Sequence, residues 1–193
     1  MSDIMISEIL HRSAEVKNKM ISVCAGPAEQ AAQMIAASMQ KGGKLMLCGN
    51  GGSAGDSQHL AAEFVATLDY TKPRPSLPAL SLTTDTSFLT AYANDFGFEG
   101  VFARQVEALG QPGDVLLGIS TSGNSKNVLA AAKAAKNNQI SVIAFTGETG
   151  GQMADFADIL VAIPSRIIMH IQECHIALGH AITARVETLF SEK

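Results

Sequence analysis

Ser120-Thr121-Ser122-Gly123-Asn124-Ser125 packs four hydroxyl side chains and a glycine into six residues, directly after the apolar run Val115 to Ile119. Where a strand gives way to a helix, loop amides and the positive end of the helix dipole face one point, and the hydroxyls add neutral donors. Such a site solvates a phosphate without a lysine. A single helix cap by Ser122 or Ser125 would need one hydroxyl, not four.

Proton-transfer and metal chemistry can arise at two further places. His59 and Glu63 stand four residues apart in a helical stretch, so they share a face and can share a proton or a metal ion. An exposed pair of no consequence has the same spacing. Gln172-Glu173-Cys174-His175-Ile176-Ala177-Leu178-Gly179-His180 sets polar groups in a mostly apolar helical stretch, where they need partners. Gln172 and His180 are eight residues apart, about 12 Å along a helix axis. One ion could join both only with both side chains fully extended. His175 points about 140° around the helix from His180.

The elements that must position these groups follow from the apolar pattern. Leu45 to Cys48, Val115 to Ile119 and Ile140 to Phe145 each precede a loop of Gly, Ser, Thr or Asn and then a helical or turn-rich stretch, and Leu77 to Leu82 resembles them. Ile159 to Ile163 reads as a last strand. Apolar runs that do not alternate suit strands covered on both faces, and intervening helices make the sheet parallel. The expected fold is a doubly wound parallel-sheet α/β/α sandwich, with its ligand loops gathered at the C-terminal strand ends. Ile167 to about Leu189 reads as a long C-terminal helix. Residues 3 to 40 read as an N-terminal helical hairpin broken at Gly26-Pro27, with Gly42-Gly43 ending its second arm. Its apolar positions need cover, and a partner subunit is the expected cover. Residues 1–43 are thus assigned to oligomerisation and 44–193 to the ligand-binding unit, within one structural domain. Pro73, Pro75 and Pro78 mark a connecting loop.

A nucleotide reading competes, because Gly49-Asn50-Gly51-Gly52-Ser53-Ala54 fits GxGxxG/A and Asp69 lies twenty residues on. The ribose-binding acid should end the second strand, however, and Asp69 precedes the proline-rich loop. No GxxxxGK[ST] sequence is present.

Composition narrows the classes further. The 193 residues are 47% hydrophobic and 17% charged, which suits one packed domain. A net charge of −4 with scattered Lys and Arg offers nothing to a nucleic-acid backbone. The absence of a basic, apolar leader or of about 18 uninterrupted apolar residues points away from membranes and towards the cytoplasm. Cys24, Cys48 and Cys174 form neither a disulfide framework nor a CxxC motif and are read as reduced, mostly buried thiols.

At Cys-Gly-Asn-Gly-Gly-Ser (48–53), Asn94-Asp95-Phe96-Gly97, Gly-Ile-Ser-Thr-Ser-Gly-Asn-Ser (118–125) and Ile-Gln-Glu-Cys-His (171–175), the chain resembles the sugar isomerase (SIS) domain family over nearly its whole length. Within that family it resembles the members that convert sedoheptulose 7-phosphate to D-glycero-D-manno-heptose 7-phosphate, an early step towards the heptose of lipopolysaccharide. The resemblance implies a cytoplasmic homotetramer with active sites between subunits. It implies that Ser120, Thr121, Ser122 and Ser125 hold the phosphate, and that Asn50, Gly51, Gly52, Ser53, Asn94, Asp95 and Gln172 line the sugar. Glu63 and His180 match the acid/base pair, and His59, Glu63, Gln172 and His180 match a zinc site. Assembly between subunits would relieve the strain between Gln172 and His180. Thr67 and His170 stand where relatives carry Arg, and Ile168 where a Thr is common. The rival class is a non-catalytic regulator of the same fold, which binds a replication-initiator protein or senses a sugar phosphate. Such a relative lacks the acid and the histidine at positions 63 and 180.

Overall fold

The computed structural model describes residues 5–191, with the side chain of residue 191 outside the description. Five strands, β1 (Leu45–Gly49), β2 (Ala79–Ser81), β3 (Val115–Ile119), β4 (Ser141–Gly147) and β5 (Ile159–Ile163), form one sheet in the order β2-β1-β3-β4-β5. Every pairing is parallel. β1, β3 and all but the first residue of β4 are buried throughout, which is why their sequences are apolar without alternation.

Six α-helices cover the two faces: α1 (Ile6–Gln40), α2 (Gly52–Val65), α3 (Thr86–Phe96), α4 (Val101–Leu109), α5 (Lys126–Asn137) and α6 (Ile168–Ser191). Side chains of odd-numbered strand residues such as Leu45, Leu117, Phe145 and Val161 join the core beneath α1, α2 and α6. Even-numbered ones such as Met46, Leu116 and Ala144 join the core beneath α4 and α5. This is the expected α/β/α sandwich. The strand run expected over 77–82 contracts to the three residues of β2, an edge strand with one neighbour.

The N-terminal hairpin is corrected. Residues 6 to 40 form one uninterrupted 35-residue helix with Pro27 inside it; residues 3 and 4 lie outside the described range. Met20, Cys24, Ala28, Ala31, Ala32, Ile35, Ala36 and Met39 are all buried and follow one helical stripe straight through Gly26-Pro27. Packing that stripe against the sheet and α6 outweighs the roughly 3 kcal/mol that an interior proline costs. The carbonyl that loses its donor belongs to Val23, on the exposed face. Gly42, at φ +88, turns the chain out of the helix as expected.

Candidate active site

The sheet order places a topological switch beside β1, since the chain leaves β1 towards β2 and later returns to pair β3 on its other edge. Crevices at such points are where doubly wound folds bind ligands. The loops leaving β1 and β3 meet there. Asn50 and Asn127 exchange two amide hydrogen bonds, each 2.8 Å, and so tie the glycine loop to the first turn of α5.

Tight geometry explains the glycines. Gly51 takes φ +56, and a Cβ at Gly52 would lie 2.6 Å from Gln172 Nε2. Gly123 takes φ +67, and a Cβ there would collide with the Gly150 carbonyl, so the 120–125 loop nests against the loop after β4. Gly147 N donates to the Thr121 carbonyl at 3.0 Å, and Met153 N to the Gly123 carbonyl at 3.0 Å.

Within the 120–125 loop, capping does not account for the hydroxyls. Ser125 occupies the N-cap of α5 yet its side chain makes no capping bond. Ser120 is buried and its Oγ donates to Ser125 Oγ at 3.0 Å, while Ser122 Oγ accepts from Asn124 N at 3.1 Å. Thr121 is half-buried and Ser122 exposed at the helix entrance. Thr121 and Ser122 also line a cavity of about 340 Å³ with Gly147, Ser165 and Ile168.

The second group of candidate side chains is built by two helices. α2 starts at the glycine loop and carries His59 and Glu63 on one face, with His59 Nε2 3.4 Å from Glu63 Oε1. α6 brings His180 against them, its Nε2 2.8 Å from that of His59 and the rings crossing edge to face at 69°. Ligand atoms of all three lie within 4.8 Å of one another, the one such group among the described residues. Two imidazoles and a carboxylate are a donor set that zinc accepts. Two nitrogens about 2.05 Å from one tetrahedral ion stand about 3.3 Å apart, so rings at 2.8 Å need move only a few tenths of an ångström.

Gln172 is not in this group. It lies against Gly52 at the start of α2, about two turns of α6 before His180. Asn94 and Asp95 are exposed on α3, hydrogen-bonded to each other at 2.8 Å, and α3 has no buried residue. Ser53 is buried at the start of α2.

Sequence reasoning missed Asp56. It precedes His59 by three residues on α2, its Oδ2 is buried without a hydrogen-bond partner, and burial raises its pKa against the opposing pull of His59 and His180. The i,i+3 spacing to His59 was the available signal. Asn127 was missed too, because an amide pair across 77 positions leaves no local trace.

The remaining motif residues fall into place. Asp69 lies beyond α2, far from the end of β2, and its carboxylate accepts Thr71 N at 3.0 Å and Thr71 Oγ1 at 2.5 Å. Those Thr71 bonds, followed by Lys72, hold it at about 2. It serves its own turn, not a ribose. His175 is wholly buried, bonds the Thr146 carbonyl at 3.1 Å through Nε2, and is pushed down to about 4 by burial. His170 is also buried, with neither ring nitrogen hydrogen-bonded. Thr67 Oγ1 donates to the Asp69 carbonyl at 3.2 Å, and Ile168 is exposed beside the 340 Å³ cavity. The three cysteines are buried free thiols, with Cys48 pushed up to about 12 by burial.

Comparison with known proteins follows the same lines. Residues 10–147 match the SIS domain family. The chain is 49% identical to a phosphoheptose isomerase of Roseiflexus sp. over 97% of its own length and 94% of the relative's. It is 48% identical to one from Aquifex aeolicus, covering 97% of each chain. Among solved structures, phosphoheptose isomerase from Neisseria gonorrhoeae superposes with a TM-score of 0.89 at 43% identity, over 95% of this chain and 97% of that one. The Vibrio vulnificus NanR protein, complexed with ManNAc-6P, and an RpiR transcription factor from Sphaerobacter thermophilus, at 14% and 18% identity, share the fold alone.

Proposed function

We propose that this chain, which belongs to the SIS domain family, is an aldose-ketose isomerase interconverting D-sedoheptulose 7-phosphate and D-glycero-D-manno-heptose 7-phosphate. The observation that carries the reading is the His59–Glu63–His180 group on a helix that begins at the anion-binding crevice. The phosphate sits on the amides and hydroxyls of Ser120, Thr121, Ser122 and Ser125, and the sugar extends past Asn50, Ser53 and Gln172 along α2.

In the ketose-to-aldose direction, Glu63 takes the proton from C1 as the C1–C2 double bond forms, and His180 delivers a proton to O2. The enediol then collapses. The O1 proton leaves to His180, C1 becomes the aldehyde carbon, and Glu63 returns its proton to C2. His59, Glu63 and His180 would hold a zinc ion, and Gln172 would join them only if a second subunit supplied it. Held there, zinc would occupy the groups that otherwise move protons, and would instead supply Lewis-acid polarisation of the carbonyl oxygen or hold the site in shape.

Assembly as a homotetramer is part of the proposal. Ile6, Leu10, Ile21 and Val23 of α1 and Ile168 and Met169 of α6 are exposed apolar residues that a second copy would cover. No helix among the described residues is long and apolar enough to cross a membrane. Three free buried thiols support a reducing, cytoplasmic setting. The product would feed the heptose of lipopolysaccharide.

A regulator that binds a replication-initiator protein or senses a sugar phosphate is not favoured, since relatives about half identical over nearly the whole chain are phosphoheptose isomerases. Purified protein incubated with sedoheptulose 7-phosphate should form the aldose, and Glu63→Gln and His180→Gln should lose about 100- to 10,000-fold in kcat. A wild type as inert as both variants, with and without zinc, ends the isomerase reading.

A further inference from the structure

We infer that Arg74 is a positioning residue that fixes the α2–α6 pair and thereby the reach between Glu63, His59 and His180. The inference rests on the isomerase reading of those three side chains for its effect on turnover.

The two helices run parallel and in register. Gly52 faces Gln172 at one end, and in the middle His59 faces His180 while a Cβ at Gly179 would lie 2.6 Å from Leu60 Cδ1. Missing Cβ atoms set how closely the helices approach there. At the far end the device is different. Arg74, in the loop after α2, has a side chain only 5% exposed. Its Nη2 donates to the carbonyl of Glu63 at 2.8 Å, its Nη1 to the carbonyls of Phe64 and Pro75, both at 2.9 Å, and its Nε to Glu187 Oε1 at 2.7 Å.

Glu187 follows His180 by seven residues, two turns along the same side of α6. One guanidinium therefore grips the backbone of the candidate catalytic acid with one edge and the helix of the candidate catalytic histidine with the other. Glu187 Oε1 also accepts Leu68 N at 3.0 Å, which closes the chain leaving α2 over the same carboxylate. A cation at a helix C-terminus is stabilised by the helix dipole, but a cap alone would not need the bond to α6. Lysine could supply the charge without the planar fork that reaches both helices. This also bears on Thr67. The chain without an arginine at position 67 places a guanidinium at this same end of α2, and Thr67 Oγ1 lies 3.4 Å from the carboxylate that Arg74 holds.

The test compares wild type, Arg74→Gln and Arg74→Lys in steady-state turnover of sedoheptulose 7-phosphate, each well below its own unfolding midpoint. Histidine ring-proton NMR spectra of the substrate-free proteins are recorded alongside. Arg74→Gln should lower kcat by about 10- to 100-fold with KM within about twofold, because the phosphate loop belongs to other elements. Arg74→Lys should recover part of that loss, and it carries the comparison if Arg74→Gln does not fold. Ring resonances of His59 and His180 should move while those of exposed His11 stay. A variant whose midpoint falls but whose kcat per folded molecule and His59 and His180 resonances match wild type overturns the inference. If the wild type itself is inert, the isomerase reading falls, and the resonances alone decide: moved, they support the clamp; unmoved, they overturn it.

Discussion

His59 and His180, 121 positions apart in sequence, bring their Nε2 atoms to 2.8 Å of one another. Two imidazole nitrogens at that distance cannot both carry a proton or both lack one without repulsion, so one ring donates and the other accepts, or a cation sits between them. A cation held there would bring positive charge, which a nearby carboxylate would balance. Glu63 is 3.4 Å from His59, and the half-buried carboxylate of Asp56 interacts with both rings. The arrangement is a donor set that could hold a metal ion, on the helix that begins at the glycine loop.

Zinc should therefore bind the purified, metal-stripped protein, and His59→Ala should weaken it at least tenfold by removing one ligand. Isothermal titration with zinc chloride measures this directly. Equal affinity in wild type and His59→Ala would place the metal elsewhere or nowhere.

The phosphate loop makes a separable prediction. Ser125→Ala removes a hydroxyl that faces Ser120 and caps nothing, so it should raise KM about tenfold and leave kcat nearly unchanged, the pattern of lost uniform binding. Gly123→Ala is harsher, since φ +67 disfavours a side chain and the Gly150 backbone occupies its space. It should lower the melting temperature as well as affinity, measured by thermal denaturation with and without inorganic phosphate.

These two halves of the site were unequally legible in the sequence. The phosphate loop is local: strand Val115–Ile119, six loop residues and helix Lys126–Asn137 are contiguous, and their pattern foretold the geometry. The His59–His180 contact is made only by packing α2 on α6, so spacing within either helix could not show it and the resemblance had to supply it. What spacing did show was the distance between Gln172 and His180, and the structure keeps them apart, Gln172 beside Gly52 at the start of α2 and His180 beside His59 in its middle. Arg74 leaves no local signal, because Glu187 comes from another element, and the i,i+3 spacing of Asp56 to His59 carries no sign of its burial.

The hairpin expected at Gly26-Pro27 failed for a related reason. Gly26 and Pro27 are local breakers, but the buried stripe from Met20 to Met39 runs through them in phase. Pro27→Ala restores one backbone donor and helix propensity. It should stabilise the fold by roughly 1 to 3 kcal/mol, less whatever chain stiffness the proline removed from the unfolded state. Urea denaturation monitored by circular dichroism would read the gain, and a destabilised Pro27→Ala would mean that the proline shapes α1 to fit its neighbours.

His175 makes stability depend on pH. Its folded pKa of about 4 lies below the ordinary 6.5, because burial behind Thr146 and Phe145 penalises the charged ring. Between those values the unfolded chain binds more protons than the folded one, so stability falls as pH falls. The contribution is complete above pH 6.5 and lost progressively towards pH 4, on the order of 3 kcal/mol. Glutamine at this position can still donate to the Thr146 carbonyl but does not titrate. Unfolding free energies at pH 7 and pH 4.5 should thus differ by less in His175→Gln than in wild type, even if the variant is weaker at neutral pH. Parallel pH slopes for the two proteins would show that the ring reaches water or a proton acceptor before the fold opens, and that the Thr146 bond does not depend on a neutral imidazole.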